Sequence, residues 1–335
     1  MQKGYKVWYI LLAYIFLLLA LIIVWWVYTW RIAIETRQQP NPDFDAITGD
    51  IYFAESIYDL EQYKDLITPT NNLDIYIYSF TFDSLREFFA EIASEEWTNT
   101  RFLIESDKYN HDDSDYYETK QAYQDIDNID FKNADHLDIN LQHAKTLLMD
   151  KSFIIQTANF TYSGFFRSRE IFFYSENTNI LESLEYIYQQ DWQGKPIDEN
   201  KIHDNLLVCD VNCRQWFEDI LSSADEEIIV YSQNFTDNRL INIVDSMDDI
   251  DIRMLLSDFD SNYFVENRLD DAKVKFQDDP HIHAKSFLVD QEYLVIGSSN
   301  FTQNSIENNR EISIVIKDKE VINNYLEMFN RDWNY

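Results

Sequence analysis

The chain has 335 residues, of which 45% are hydrophobic and 16% aromatic, so it can bury the core of one large duplicated domain or of about two separate domains. Its formal charge of −33 gives a surface that repels polyanions, whereas nucleic-acid-binding proteins usually present a basic stripe. With 5 glycines and no G-x-G-x-x-G or Walker-type loop, a glycine-rich phosphate site is not expected. The composition argues against a nucleic-acid partner, although an active site in an acidic protein can still be locally basic.

The first predicted element is a transmembrane helix over residues 7–30, which contain no charged residue and carry tryptophan and tyrosine near both ends. About 20 apolar residues cross a bilayer as a helix, and aromatic residues concentrate at its two interfaces. A cleaved signal peptide is the alternative, but its apolar region is shorter and ends in small residues. We therefore predict a single-pass membrane anchor within residues 1–30 and a polar linker over 31–48. The preceding lysines slightly favour a cytoplasmic N-terminus, with the rest of the chain outside the cytoplasm.

The remainder of the chain contains an internal duplication. Residues 141–161 read LQHAKTLLMDKSFIIQTANFT, and residues 281–302 read HIHAKSFLVDQEYLVIGSSNFT. Both copies contain H-x-K-(x)4-D, then an asparagine, and later an Arg-Glu pair. The matching residues of the first and second copies are His143 and His283, Lys145 and Lys285, Asp150 and Asp290, Asn159 and Asn300, and Glu170 and Glu311.

The same order of predicted elements surrounds each copy. Apolar, β-branched and aromatic runs at 73–80 and 226–235 indicate buried strands, and each is followed by an amphipathic helix and further strands. This alternation predicts an α/β fold of two pseudo-symmetric sandwich lobes with a mixed sheet in each. We place the lobes at 49–195 and 196–335, packed face to face so that the two motifs meet at a pseudo-twofold axis. The predicted helices are 84–93, 179–190, 239–247 and 319–330, and the second strands are 101–106 and 253–258.

Two features lie outside this repeat. Residues 107–135 are acidic and without clear periodicity, so we interpret them as an irregular, solvated insertion, and the spacing of their aspartates is not that of an EF-hand. Cys209 and Cys213 are too few for a disulfide framework and have the wrong spacing for a C-x-x-C redox site. We interpret them as two ordinary cysteines in or near a strand, with a local disulfide as the alternative.

The duplicated motif predicts a phosphoryl pocket. Residues i and i+2 of a strand share one face, so His143 projects with Lys145, and His283 with Lys285. Each lysine charge at about 4 Å from a phosphate contributes roughly 4 kcal/mol at an effective dielectric near 20. The amides of Asn159 and Asn300 can donate hydrogen bonds to the same oxygens.

The two histidines can divide the chemistry between them. An imidazole with a reference pKa near 6.5 can act as a nucleophile or as a general acid. One histidine would form a covalent phosphohistidine, and the other would protonate the leaving alcohol and then activate the incoming water or alcohol. Glu170 and Glu311 are expected to orient the imidazoles, and no metal or cofactor is required.

These motifs resemble the phospholipase D superfamily, whose signature is H-x-K-(x)4-D followed by G-S-x-N. The second copy has the whole signature, including Gly297 and Ser298, whereas the first copy has Gln156 and Thr157 in their place. The resemblance covers about residues 49–335 and implies a bilobal fold, a phosphohistidine mechanism and a phosphate site that includes Ser298. It also implies that His143 is the nucleophile and His283 the acid. Asp150 and Asp290 belong to the signature, so they are assigned with the other motif residues to the catalytic set, although their expected role is to turn the chain after the strand.

The expected substrate is a membrane phospholipid, because the domain is predicted to be tethered to a bilayer and its acidity disfavours DNA. Hydrolysis and phosphatidyl transfer, as in cardiolipin synthases, differ only in whether water or an alcohol attacks the phosphohistidine. A membrane-tethered nuclease and a catalytically inactive binding protein are the alternatives. Both motifs lie in one chain, so a monomer can complete the site. Aromatic residues after the first motif could contact acyl chains or belong to the core: Phe160, Tyr162, Phe165 and Phe166.

Overall fold

Two seven-stranded mixed sheets, one from each half of the chain, form the frame of the structure. This computed structural model describes residues 43–54, 57–68, 71–95, 98–105 and 115–335. From Phe44 onward these residues belong to one compact unit. The predicted anchor and most of the predicted linker lie outside the described residues. Within the described ranges, no helix combines the length and apolar character needed to span a bilayer.

The strands follow the predicted repeat and add several edge strands to it. In chain order they are β1 (Asp50–Phe53), β2 (Asn72–Ile77), β3 (Asn99–Ile104), β4 (Ile129–Asn133), β5 (Thr146–Met149), β6 (Phe153–Gln156), β7 (Ser168–Arg169), β8 (Ile171–Ser175), β9 (Leu206–Val208), β10 (Glu227–Ser232), β11 (Asp251–Ser257), β12 (Lys273–Gln277), β13 (His281–Ile282), β14 (Lys285–Val289), β15 (Tyr293–Gly297) and β16 (Ile312–Ile316).

The two sheets have the same topology. The first has the order β4-β3-β2-β5-β6-β8-β1 and the second the order β12-β11-β10-β14-β15-β16-β9. In each sheet the first three strands pair in parallel and all later neighbours are antiparallel. The mixed α/β sandwich with two sheets is therefore confirmed. The boundary that we predict at residue 195 remains a prediction, since the strands of the two sheets end at 175 and begin again at 206.

The predicted helices are present with shifted ends. Asn177 and Asp318 cap the closing helices through their side-chain oxygens, which accept backbone N–H groups of the first turn. In full, the α-helices span Ile57–Leu66, Asp83–Glu95, Asp115–Ala122, Tyr162–Phe166, Thr178–Gln193, Cys213–Ser222, Asn238–Asp245, Tyr263–Glu266, Gln303–Asn308 and Lys319–Trp333, with short 3-10 helices at Ala134–His136 and Glu199–Lys201.

The interpretation of residues 107–135 as an irregular insertion is wrong for its second part. Asp115–Ala122 is helical, and β4 adds to the sheet beside β3. Phe131 of β4 stacks on Phe102 with ring centroids 4.8 Å apart, so the edge strand is held by a core aromatic contact. The high acidic content concealed this short strand, because a half-exposed edge strand needs few apolar residues.

The two halves share a central core. One buried cluster combines the inner faces of both sheets with the two closing helices, and it includes Tyr76, Ile155, Tyr231 and Ile296. Each sheet also has one buried cluster on its outer face, where the other helices pack. A two-stranded parallel sheet also joins the halves, because β13 pairs with β7. This junction places the start of each motif strand against the other half.

Candidate active site

Both motif histidines lie where a strand of one half pairs with a strand of the other. The backbone N–H of His283 donates to the Arg169 carbonyl at 3.2 Å, and that of His143 donates to the Arg310 carbonyl at 2.9 Å. His281 is the register partner of Ser168, so the strand face that carries His283 also carries Glu170. Each Arg-Glu pair therefore extends the motif strand of the opposite half.

Each histidine is held by the glutamate of the other half. Nδ1 of His143 lies 2.8 Å from Oε2 and 3.0 Å from Oε1 of Glu311. Nδ1 of His283 lies 2.6 Å from Oε1 of Glu170, an ion-pair contact whose angle departs from that of a hydrogen bond. The pairing between halves therefore exchanges the glutamates, so that each histidine contacts the glutamate of the other copy. Both glutamates are almost fully buried.

Two buried lysines complete the charged pocket. Lys145 Nζ donates to the His143 carbonyl at 2.7 Å, and Lys285 Nζ donates to the His283 carbonyl. Burial is the main cause that lowers the pKa of Lys145 to about 7. The nearby Lys285 contributes to this lowering, and both glutamates oppose it. Burial likewise lowers the pKa of Lys285 to about 8, against the pull of Glu170 and Glu311. The two ammonium groups are thus close enough to affect each other.

The imidazoles are neutral at neutral pH in this pocket. Burial lowers the pKa of His143, while Glu311 raises it in part and both lysines lower it. The same burial lowers the pKa of His283 to about 4, again with Glu170 opposing and both lysines contributing. Burial acts to raise the pKa of each glutamate, but the adjacent histidine, a nearby lysine and a hydroxyl hydrogen bond together lower it below its usual value, so both carboxyl groups stay ionised. The structure therefore brings His143, Lys145, Glu170, His283, Lys285 and Glu311 into one electrostatically coupled cluster.

The asparagines have the same unusual state in both halves. Oδ1 of Asn159 and Oδ1 of Asn300 are buried without a hydrogen-bond partner in the structure. An unpaired buried amide oxygen costs about 1–3 kcal/mol, and such groups are uncommon in folded proteins. The unpaired atom is an acceptor in both halves, so it could pair only with a donor and not with a phosphate oxygen; the repetition shows that the two asparagines have equivalent surroundings.

The hydroxyl of Thr157 takes the place of Ser298 in the first half. Ser298 Oγ accepts the N–H of Ile312 at 3.1 Å and interacts with the Glu311 carboxylate. Thr157 Oγ1 accepts the N–H of Ile171 at 2.9 Å and donates to Glu170 at 2.5 Å. Both hydroxyls are buried, and each contacts a glutamate of the pocket. Ser298 therefore positions Glu311 in this structure and is not exposed to a phosphate.

The missing glycine of the first half is also accommodated. A Cβ on Gly297 would collide with Ser313 and with the Ile312 carbonyl, so the second half requires glycine there. Gln156 occupies the equivalent position and is fully buried. Its Oε1 accepts the Tyr63 hydroxyl at 2.8 Å, and its Nε2 donates to the Ala158 carbonyl at 2.9 Å. The departure from the signature therefore changes local packing and leaves the position of the histidine and lysine intact.

The signature aspartates lie outside the pocket. Asp150 accepts the backbone N–H of Asn71 at 2.7 Å, and Asp290 accepts the N–H groups of Asp225, Glu226 and Glu227 at 2.8 Å each. Each aspartate follows its motif strand and ties the turn to the start of a neighbouring strand, at the end opposite the histidine. This location does not fit the catalytic role that we assigned to them together with the other motif residues, and it fits the expected role in turning the chain.

Several residues at the site are not evident from the motif. Arg169 makes a bidentate pair with Asp332 at 2.6 and 3.0 Å, and Arg310 makes the equivalent pair with Asp191 at 2.9 and 3.3 Å. Both pairs cross between the halves. The repetition of Arg-Glu and Asp-Trp in the sequence was the available signal, but it carried no information about partners.

Tyr78 is a further residue at the pocket. Its ring centroid is 4.9 Å from that of His143, and Lys145 Nζ lies 5.4 Å from the same ring. The ring thus contacts both polar members of the first motif. Two strands, two α-helices and a 3-10 helix lie between Tyr78 and the motif, so no local sequence pattern links it to the histidine.

The cysteines form a local disulfide between Cys209 and Cys213, so the preferred interpretation as two ordinary cysteines is wrong. The chain folds back at the start of the helix Cys213–Ser222 and brings the two sulfurs together. The Cys209 carbonyl accepts Nη1 of Arg310 at 2.9 Å, which places the disulfide beside one of the pairs between the halves. Within the described residues, no group of three or more His, Cys, Asp or Glu side chains could hold a metal ion.

The aromatic residues after the first motif divide between core and surface. Phe160 and Phe165 are buried in the outer core of the first half, so they do not face a lipid. Tyr162 is 53% exposed, and its ring lies 4.7 Å from that of the half-buried Phe166. Core packing thus accounts for Phe160 and Phe165, whereas contact of Tyr162 and Phe166 with acyl chains stays a prediction.

Known proteins share sequence with part of the chain. Residues 217–333 match the family model described as cardiolipin synthase, PLD-like domain. The mitochondrial cardiolipin hydrolases of Homo sapiens and Mus musculus are each 40% identical over 57 residues, which is 17% of this chain and 23% and 26% of those proteins. The chain thus spans about a quarter of the length of the curated relatives that it matches.

Solved structures share the fold over most of the chain. The phosphatidylserine synthase of Haemophilus influenzae Rd KW20 superposes with a TM-score of 0.68 at 13% identity and covers 89% of each chain. The polyphosphate kinase of Porphyromonas gingivalis gives a TM-score of 0.61 at 14% identity, over 84% of this chain and 50% of the other. At these identities the likeness shows the fold alone. The family-model match identifies a PLD-like domain over residues 217–333, and the two H-x-K-(x)4-D motifs, the related cardiolipin hydrolases and the shared fold support the phospholipase D superfamily for the chain.

Proposed function

We propose that the protein is a phospholipase D-type phosphodiesterase that acts on membrane phospholipids through a phosphohistidine intermediate. The observation that supports this most directly is the pair of imidazoles, each backed at Nδ1 by a buried glutamate from the other half, with two buried lysines beside them. A glutamate at Nδ1 leaves Nε2 of each ring available for chemistry.

In the first step, the Nε2 lone pair of neutral His143 attacks phosphorus and the bond to the head-group oxygen breaks. That oxygen takes a proton from His283, which must therefore be protonated when substrate is bound. Burial lowers the pKa of His283 to about 4. The negative phosphodiester raises it, because a nearby opposite charge favours the charged form. Substrate binding is thus coupled to proton uptake by the acid.

In the second step, neutral His283 removes a proton from water or from an alcohol, whose oxygen attacks phosphorus. The bond from phosphorus to His143 Nε2 then breaks and both imidazoles return to their starting states. Lys145 and Lys285 balance the charge on the phosphoryl oxygens throughout, and the amides of Asn159 and Asn300 can add hydrogen bonds. Fixed charges and dipoles of this kind commonly supply the largest part of catalysis in such sites.

A lipid substrate is supported by the description of the matching family model and by the cardiolipin hydrolases that share a segment of sequence with the chain. The charge of −33 disfavours a nucleic-acid substrate, which binds through neutralised phosphates. The predicted membrane anchor would concentrate the enzyme at its substrate. Whether water or an alcohol is the acceptor depends on access to the phosphohistidine, so hydrolysis and phosphatidyl transfer are both part of the proposal.

The test is turnover of phosphatidylglycerol and phosphatidylcholine by the purified protein, with and without added glycerol. We expect phosphatidic acid from hydrolysis, or a new phosphatidyl ester from transfer, and an acid-labile phosphoprotein after rapid quenching. His143→Ala should abolish all of these. His203→Ala is the matched control, because His203 lies outside the pocket and pairs with Asp45 at 3.3 Å.

Three results would contradict the proposal in different ways. Full activity of His143→Ala would remove the mechanism. Cleavage of single-stranded or duplex DNA without lipid turnover would identify a nuclease. Binding of phospholipid without turnover of any phosphodiester would identify a non-catalytic binding protein.

A further inference from the structure

A third histidine lies beside the catalytic cluster. His281 precedes His283 by two residues on the same strand, so both side chains point to the same face. Their ring centroids are 6.5 Å apart, and the His281 side chain is 25% exposed. The mechanism described above does not use this residue.

The imidazole of His281 is held in place by polar neighbours. Its Nδ1 lies 3.2 Å from Ser257 Oγ and 3.5 Å from Asp278 Oδ1, whereas Nε2 is 3.5 Å from the same serine oxygen. Phe259 covers one side of the ring, with centroids 5.3 Å apart. With Nδ1 engaged, the other nitrogen is the one that can meet a ligand.

The equivalent position in the first half is chemically different. Leu141 precedes His143 by two residues, and its carbonyl accepts the N–H of Arg310 as part of the same pairing between halves. The pseudo-twofold pocket is therefore flanked by an apolar side chain next to His143 and by an imidazole next to His283. The approximate symmetry is broken at this position among others, and we call the side of the pocket at His281 its polar end.

The polar end is where the head group should lie, given the proposed function on which this inference rests. His283 protonates the leaving oxygen, so the head-group alcohol extends from that oxygen past His283. In-line displacement puts the leaving group on the side of phosphorus away from His143. The His281 ring, whose centroid is 6.5 Å from that of His283, is within reach of a second oxygen that is three or four bonds from the leaving oxygen.

We propose that His281 is a specificity-determining residue that hydrogen-bonds a hydroxyl of the substrate head group. The preferred substrates are then phospholipids with a hydroxylated head group, such as a glycerol. A trimethylammonium head group has no hydrogen-bond donor or acceptor to offer this imidazole. Leu141, the equivalent residue of the first half, cannot make this hydrogen bond. The head group is therefore expected to bind on the His281 side and not in the reverse orientation.

The experiment compares three substrates with wild-type protein and His281→Leu, which copies the apolar flank of the first half. The substrates are phosphatidylglycerol, phosphatidylcholine and bis(4-nitrophenyl) phosphate, which has no lipid head group. Loss of one hydrogen bond corresponds to about a tenfold effect. We expect kcat/KM for phosphatidylglycerol to fall about tenfold, with the other two substrates changed less than about twofold.

Two further variants serve as controls. His281→Gln keeps a hydrogen-bonding side chain and should recover part of the phosphatidylglycerol activity. His203→Leu removes a histidine outside the pocket and should leave all three substrates unchanged.

An equal fall for all three substrates, or no fall for phosphatidylglycerol, would overturn the assignment of His281 while the proposed function stands. A wild-type protein that prefers phosphatidylcholine would do the same. A wild-type protein that turns over none of the three would instead overturn the proposed function and, with it, this inference.

Discussion

The imidazole of His143 can attack phosphorus only while its other nitrogen is engaged, because the tautomer decides which nitrogen has a free lone pair. Glu311 supplies that contact to His143, and Glu170 supplies it to His283. The two glutamates come from equivalent positions of the repeat but serve histidines with different proposed roles. Replacing each glutamate by glutamine, its neutral amide, therefore tests the nucleophile and the acid separately.

Glu311→Gln and Glu170→Gln should differ with a good leaving group. Replacing a carboxylate that holds a catalytic histidine by its amide can cost about 10⁴ in kcat, so we expect losses of about 100-fold or more for both variants on phospholipid. With bis(4-nitrophenyl) phosphate, the leaving nitrophenolate needs no proton. Glu170→Gln should then keep a fast initial burst of nitrophenolate, whereas Glu311→Gln should lose it.

Stopped-flow absorbance measures the burst, and Glu292→Gln is the control, because Glu292 is a half-exposed carboxylate paired with Lys317 at 3.2 Å. If Glu311→Gln keeps the burst and Glu170→Gln loses it, then His283 is the nucleophile and the assigned roles are reversed.

The lysines make the free enzyme sensitive to pH. The pKa values of Lys145 and Lys285 are about 7 and about 8, and each lysine is charged below its pKa. Substrate binding needs both charges, so kcat/KM, which reports the free enzyme, should fall as pH rises from about 7 to about 9. Bound substrate is anionic and raises both pKa values, so the fall in kcat should occur at higher pH than the fall in kcat/KM.

The measurement is a pair of pH profiles with bis(4-nitrophenyl) phosphate, whose own charge is constant across this range. Lys145→Arg keeps the charge at every pH and should lose the lower of the two alkaline transitions, whatever its overall activity. A kcat/KM that is flat to pH 10 would show that neither lysine has a lowered pKa.

At the scale of the elements, the sequence predicts the interior strands well and the edges poorly. Apolar runs such as 226–235 have enough hydrophobic residues to identify β10 without tertiary information. The edge strands β1 and β4 are short and half exposed, so their residues do not stand out from a loop. Their places in the sheet depend on a neighbour that is far along the chain.

The exchange of partners between the halves is also beyond the sequence. The repeat shows that Glu170 and Glu311 are equivalent. It does not show whether each glutamate contacts the histidine of its own half or that of the other half. The docking of β7 on β13 decides this, and that contact depends on how the two sheets pack. The buried pairs Arg169–Asp332 and Arg310–Asp191 also join the two halves.

Arg169→Met should destabilise the protein strongly. It leaves the buried Asp332 carboxylate with only the more exposed Arg331 at 3.7 Å as a cation, and breaking one side of a buried pair costs about 3–5 kcal/mol. Denaturant unfolding should show this decrease in the free energy of unfolding. Lys273→Met removes one side of an exposed pair with Asp251 and should change it by less than about 1 kcal/mol.

The double variant Arg169→Met with Asp332→Asn distinguishes the cause. If the loss comes from an uncompensated charge, the double variant should be more stable than Arg169→Met alone. If the double variant is less stable than either single variant, the loss comes from packing around the arginine stem.

At the scale of the whole molecule, the duplication, the two sheets and the shared pocket follow from the sequence, because the motif specifies the same strand environment twice. The asymmetries are harder to predict, since they arise from single positions. Thr157 keeps the contact that Ser298 makes, so an apparent loss of the signature is small, whereas Leu141 and His281 differ in chemistry although neither belongs to the signature. Function can diverge at such positions while the frame stays symmetric.

The charge of the molecule gives a prediction about its substrate surface. A chain of net charge −33 repels an anionic lipid aggregate, although its pocket holds two lysines. The Debye length is about 30 Å at 0.01 M salt and about 8 Å at 0.15 M, so salt screens the outer charges while the pocket, at contact distance, is affected less. We therefore expect kcat/KM on phosphatidylglycerol in neutral-detergent micelles to rise several-fold over this range, and kcat/KM on phosphatidylcholine micelles to stay nearly constant. A decrease of kcat/KM on phosphatidylglycerol with added salt would mean that a locally basic pocket entrance attracts the substrate more strongly than the rest of the surface repels it. The acidic composition would then no longer argue against nucleic acid as a substrate.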